Sequence, residues 1–136
     1  MATLEVALDW LGGYKVLGTA GPRTVTFDRA VQRGGADEGM RAAEGLLLAT
    51  GACLAITIAA AAQSRGIELG RCRVRVRGET ADGPSRVARI AIDAELPDVA
   101  PEVARHLIEV AERGCTVANT LRNPPELRIT VAAGTA

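Results

Sequence analysis

Aromatic side chains are almost missing from this 136-residue sequence: Trp10, Tyr14 and Phe27 are the only three. Stacking on exposed bases needs a platform of such rings, so single-stranded nucleic acid is a poor partner. Charge of one sign is lacking too, since 16 Lys and Arg balance 16 Asp and Glu. A neutral chain has no long-range field to draw it onto nucleic acid or an anionic membrane, which leaves small molecules and proteins as partners. Histidine occurs once, at His106, beside Arg105 and Glu109 on the polar side of a helical pattern. With no second imidazole to share a metal, it reads as a surface residue, and we expect neither metal nor organic cofactor. Met1 to Leu8 contains Glu5 and lacks a basic stretch followed by an apolar run, so no signal peptide is read there. The three cysteines, Cys53, Cys72 and Cys115, are odd in number, widely spaced and without a CxxC pair. That excludes a disulfide scaffold or a zinc finger and points to a reducing cytoplasm.

What is present suits one domain over residues 1–136, with a core of Ala, Val, Leu and Ile. A chain of this length buries roughly two-thirds of the surface its unfolded form exposes. Leu4, Val6, Leu8 and Trp10 alternate with Glu5, Ala7 and Asp9, the period of a half-buried strand. Gly12-Gly13 turns the chain into a second strand, Tyr14 to Thr19, and Ala20-Gly21-Pro22 into a third, Thr24 to Asp28, with Val25 and Phe27 on one face. A long helix is expected from Arg41 or Glu44 to about Ser64, stopped by Gly66. Two strands follow, one with Cys72, Val74 and Val76 opposite Arg71, Arg73, Arg75 and Arg77, the other with Ile90, Ile92, Ala94 and Leu96 inward. The loop Thr80 to Ser85, with Asp82-Gly83-Pro84, joins them. Pro101 opens a second helix on Val103, Leu107, Val110 and Ala111 that ends at Gly114, and a helical turn runs from Cys115 to Leu121. Leu127 to Val131 reads as a closing strand. Three strands, a helix, two strands, a helix and a strand make an α+β domain of antiparallel sheets around a long buried central helix.

Three further patterns have bland explanations. Gly45 to Ala62 carries no charge and is as long as a minimal membrane span. Its composition is weakly apolar, and a central helix enclosed by protein explains the same run, so no membrane is expected. The arginine row has Asp93 and Glu95 on the returning strand as cross-strand partners, which favours a solvated, paired face over a phosphate track. Gly34, Gly35 and Gly39 lack a P-loop lysine and a strand immediately before them, which argues against nucleotide binding.

Two of the cysteines lie in distinctive phrases. Cys53 ends Glu44-Gly45-Leu46-Leu47-Leu48-Ala49-Thr50-Gly51-Ala52-Cys53, and Cys115 opens Cys115-Thr116-Val117-Ala118-Asn119-Thr120-Leu121, 62 positions later. These phrases resemble the OsmC/Ohr signatures, in which a Glu-Leu-Leu-Leu-Ala-Ala-Leu-Gly-Ala-Cys-like helix bears one cysteine and a Cys-Pro-Val-Ser-Asn-Thr-Leu-like segment the other. The likeness extends to Trp10 to Gly18 and to the Gly34-Gly35 loop, so it covers nearly the whole chain. It implies an OsmC-like fold, an intertwined homodimer with active sites at the subunit interface, and Cys53 as the peroxidatic thiol with Cys115 as the resolving one. It further implies a glutamate, matched by Glu44, holding an arginine from the N-terminal hairpin or the loop after it, which supplies the cation. At the hairpin position stands Lys15, with Arg23, Arg29, Arg33 and Arg41 nearby; a lysine brings charge without the planar fork of a guanidinium.

Elementary electrostatics gives a different ranking of the two thiols. Cys53, in mid-helix, is denied the dipole of its own helix N-terminus, whereas Cys115 at the start of a helical turn receives that help. On this ground Cys115 is the more acidic thiol, and a cation is expected close to Cys53. Nine residues separate Glu44 from Cys53, two and a half helical turns, so the two point oppositely if one straight helix carries both. The proline that usually precedes the glutamate is replaced by Ala42 and Ala43. Cys72, beside Val74 and Val76, reads as a core residue.

The expectation is therefore a thiol-dependent peroxidase for organic hydroperoxides, and hydrogen peroxide as a further substrate, cycling through a sulfenate and a Cys53–Cys115 disulfide. Leu47, Leu54, Ile56 and Ile58 would line an apolar substrate pocket, and a thiol reductant such as a dihydrolipoyl protein would reset the cycle. The alternatives are a non-enzymatic ligand-binding protein of the same fold and a redox sensor that oxidises without turnover.

Overall fold

A computed structural model describes residues 2–135; the single-domain expectation over 1–136 includes Met1 and Ala136, which lie outside them. The chain divides into two compact units, one of the residues up to Ala49 with Val76–Ile92, the other of Thr50–Arg75 with Asp93 onward. The helix α1 (Ala42–Ser64) runs through both.

In the first unit β1 (Ala7–Trp10), β2 (Val16–Ala20) and β3 (Arg23–Phe27) form an antiparallel meander in the order β1-β2-β3. The register pairs Leu8 with Gly18 and Gly18 with Val25. Gly12 and Gly13 take the left-handed conformations that the β1–β2 turn requires, and the Trp10 indole N–H donates to the Gly13 carbonyl at 3.0 Å. The expected half-burial of the first strand is not found: all four residues of β1 are exposed, Trp10 at 72%. One face of this sheet, lined by Val6, Leu8, Val25 and Phe27, is a shallow apolar hollow of about 380 Å³.

The first turn of α1 packs on β3 through the missing side chain of Gly45, where a Cβ would stand 2.8 Å from the Phe27 ring. Both ends of the helix are capped. Glu44 accepts from the Arg41 amide at 2.9 Å, the return half of a capping box. At the other end Gly66 is left-handed, its N–H donates to the Gln63 carbonyl, and the Ile67 N–H reaches back to Ala62, a Schellman closure. Thr50, Gly51, Leu54, Ile58, Ala61 and Ala62 form the buried stripe of α1, while Leu48 and Ile56 are exposed, so its enclosure in one chain is one-sided. By length and composition alone it is long and apolar enough to cross a membrane; the stripe is instead packed within the protein.

β4 (Arg73–Ala81) and β5 (Arg86–Glu95) form a two-stranded sheet with alternating exposure along β4. Arg75 pairs with Glu95 at 3.9 Å, as read from the sequence, whereas Arg89 pairs with Glu79 at 3.3 Å and Asp93, Arg73 and Arg77 have no ion pair among the described residues. Arg71 precedes the strand and clamps Asp98 through its side chain at 2.9 and 3.0 Å and its amide at 2.7 Å, which holds the carboxyl down at about 2. In the second unit α2 (Pro101–Gly114) buries Leu107 and Ala111, and α3 (Thr116–Arg122) follows with Cys115 as the residue between. His106 is exposed. The closing strand expected at Leu127 to Val131 does not form: residues 124–135 are neither helix nor strand, and Leu127, Ile129 and Val131 lie open to solvent. A strand exists by virtue of a hydrogen-bonding neighbour, and among the described residues this segment has none.

Candidate active site

The fold brings Cys53, on α1, to Cys115 at the junction of α2 and α3, and both belong to the second unit. All three cysteines are free thiols. Cys115 is fully buried and Cys53 partly exposed, so only the latter is open to a reagent from solvent. The Val117 amide donates to the Cys53 sulfur and is the largest influence holding this thiol below its ordinary pKa. Burial opposes the shift, and the Cys115 thiol, the Thr116 amide and the Thr57 hydroxyl reinforce it. Thr57 has one proton and donates it to the Cys53 carbonyl at 2.6 Å, so its help to the sulfur is the weakest of the four. Cys115 moves the other way: burial pushes it up first, the Ala118 amide pulls it down, and its thiol, acting as donor to Cys53, is held protonated.

This geometry reverses the electrostatic ranking drawn from the sequence. The orphan amides at the start of α3 act on both thiols: at Cys115 burial outweighs them, while at Cys53, which α1 brings to them, they prevail. The cation expected near Cys53 is absent from the leading influences among the described residues, which are hydrogen bonds and burial. Sequence reasoning missed Thr57 and the Thr116 and Val117 amides. The position of Thr57 one turn after Cys53 was the available signal for the first.

The remaining predicted residues have other occupations. Lys15 pairs with Glu38 at 3.1 Å, and Glu44 caps α1. Since α1 begins before Glu44, one continuous helix carries Glu44 and Cys53 on opposite faces. Ile58 is completely buried and Leu54 nearly so, which makes them core residues and not pocket walls; Ile56 is 69% exposed and Leu47 packs against Gly78. The four cannot line one pocket in a single chain, because i,i+4 spacing turns 54 and 58 to the core and 56 away from it. Cys72 is partly buried just before β4, and burial raises its thiol. No cluster of potential metal ligands occurs among the described residues.

Residues 34–130 match the family described as OsmC-like protein, well over half of the sequence. The chain belongs to the OsmC-like protein family. Its fold is also that of solved OsmC-type structures. An OsmC-like protein from Mycoplasma pneumoniae is 17% identical with a TM-score of 0.80, over 90% of this chain and 89% of the other. A structure from Legionella pneumophila, named as an organic hydroperoxide resistance protein OsmC, predicted redox protein and regulator of sulfide bond formation, is 17% identical with a TM-score of 0.71 over 90% of each chain. An organic hydroperoxide resistance protein from Elizabethkingia anophelis, with crystallant-derived thiocyanate bound, is 22% identical with a TM-score of 0.72 over 91% of each. No curated protein matches the sequence. For this OsmC-like chain the likenesses establish the fold, while the chemistry rests on its own thiol pair.

Proposed function

We propose that this protein is a thiol-dependent peroxidase that reduces organic hydroperoxides, and hydrogen peroxide as well, with Cys53 as nucleophile and Cys115 as resolving thiol. One observation carries the reading: an accessible sulfur receives hydrogen bonds from two amides and from a second, buried thiol. The Cys53 thiolate attacks the terminal peroxide oxygen, the O–O bond breaks, and the alkoxide leaves and takes a proton to become the alcohol. Cys53 is then a sulfenic acid, two electrons oxidised. Cys115 attacks that sulfur, water leaves, and a disulfide forms; a dithiol such as a dihydrolipoyl group returns the two electrons. The names of the Legionella and Elizabethkingia structures support the substrate class. Three free thiols suit a reducing cytoplasm. The exposed apolar residues of β1, α1 and the C-terminal segment support a homodimer. Glu44 remains the helix cap and Lys15 the partner of Glu38 in this proposal.

A second reading rests on the absence of a guanidinium from the leading influences on Cys53: a sensor that forms the disulfide once and does not turn over, or a binder whose thiols stay reduced. The test follows cumene hydroperoxide with excess dihydrolipoamide. Catalytic loss of peroxide by the parent, abolished in Cys53→Ser, supports the peroxidase. In Cys115→Ser, mass spectrometry should find a sulfenate at Cys53. One stoichiometric oxidation of the parent marks a sensor, and inert thiols mark a binder.

A further inference from the structure

In the first unit, Tyr14, Val16, Phe27, Ala30 and Ala42 line a half-open cavity of about 370 Å³, with Arg29, Arg33 and Arg41 also in its lining. The size is that of a compact small molecule. Of the three guanidiniums, Arg41 is neutralised by Asp37 at 2.7 Å. Arg29 lies over the Tyr14 ring, 4.3 Å from its centroid, with no carboxylate partner, and Arg33 has no ion pair among the described residues. The one acid in the wall, Asp28, is buried, and its oxygens accept the amides of Arg29, Ala36 and Glu38 at 2.7, 3.2 and 3.2 Å. It therefore ties the loop down, and it makes no ion pair with either arginine among the described residues.

The mounting is rigid as well as charged. The Arg33 amide closes a 3-10 turn on the Ala30 carbonyl at 2.9 Å, and the Arg29 carbonyl accepts from Asp37 at 3.1 Å. Gly34, left-handed at φ 89, lies against the edge of the Tyr14 ring, where a Cβ would stand 3.2 Å away. Two guanidiniums with donors to spare thus stand on a fixed backbone in the lining of a largely apolar cavity, the chemistry that recognises a carboxylate. The walls below them demand that the carboxylate carry an apolar body.

We propose that this cavity is a binding site for a compact carboxylic acid with an apolar body, its carboxylate held by Arg29 and Arg33 and its body against Val16, Phe27 and Ala42. The site is independent of the thiol pair, so its test needs no redox chemistry. Isothermal titration of the full chain compares phenylacetate, its neutral isostere phenylacetamide, and inorganic phosphate. Phenylacetate should bind once per chain, at least tenfold more tightly than either of the others, and more weakly as salt rises. Arg33→Ala and Arg29→Ala should each weaken it about tenfold, and Cys53→Ser should leave it unchanged. Arg33 has no side-chain partner among the described residues to lose, so its variant folds as the parent does, checked by circular dichroism. Equal binding of amide and acid, equal binding of phosphate, unaltered affinity in the arginine variants, or no binding at all would each overturn the proposal.

Discussion

Two amides at the start of α3 and the Cys115 thiol donate to the Cys53 sulfur, so the acidity of Cys53 is a property of three residues distant in sequence. Because folding lowers its pKa, this thiolate adds stability above the pH at which the unfolded thiol ionises, and the contribution is lost as pH falls through the depressed folded value. Reactivity follows the same sign. Alkylation of Cys53 by iodoacetamide should reach its plateau at a lower pH than that of an ordinary thiol, while Cys115 stays protonated and slow. Thr116→Pro separates the amide from the side chain. Proline suits the first position of a helix, and Cys115 before it is already extended at ψ 106, so the turn survives while one donor is lost. A hydrogen bond to a charged group contributes about 1.5–3 kcal/mol, less where water reaches it. Alkylation at neutral pH should therefore slow several-fold, up to about tenfold, in Thr116→Pro and not in Thr116→Ala, which keeps the N–H. Equal rates in the two variants would show that the Thr116 amide has no part in activating Cys53.

At the scale of elements, α1 states its own limits in sequence: Glu44 three residues after Arg41 and Gly66 two after Ser64 are cap signals whose chemistry is local, and both caps are found. The hairpins and α2 were legible for the same reason, since glycine turns and a proline start act within a few residues. Burial was not. Periodicity assigns Leu4, Val6 and Leu8 to one face without saying what covers it, and an apolar run as uniform as that of α1 has almost no phase, so Ile56 and Ile58 look equivalent until coordinates separate them. The two thiols were visible as a pair through their phrases, but which amides reach which sulfur depends on how α1 and α3 meet. A measurement can exploit the contrast on α1. Ile58→Ala removes a fully buried side chain and should cost about 2–5 kcal/mol at any protein concentration, read as a lower urea midpoint with an unchanged slope. Ile56→Ala should cost less than about 0.5 kcal/mol in dilute protein. A large loss there in dilute solution would mean that the exposed face of α1 is packed within the chain itself.

For the whole molecule, the number and placing of the exposed apolar side chains bear on the proposed pairing of two copies. Leu8 and Val6 face an uncovered sheet surface, Leu48 and Ile56 an uncovered helix surface, and Leu127, Ile129 and Val131 alternate along a segment that has strand character and no strand neighbour. Each feature alone is ordinary, since much of any protein surface is apolar. Together they support the proposed homodimer, in which a second copy would complete these surfaces; a stable pairing buries roughly 1,600 Å² in total. The expected outcome is sedimentation of the parent at micromolar concentration with twice the 14.1 kDa chain mass. Leu8→Asp and Ile56→Asp should each shift it toward single chains, because a carboxylate enclosed in an apolar interface has no partner there. Deletion of residues 126–136 should do the same if that segment gains its strand neighbour from the second copy. A parent that sediments as one chain at all accessible concentrations, with thiol chemistry intact, would show that these faces are not an interface between copies.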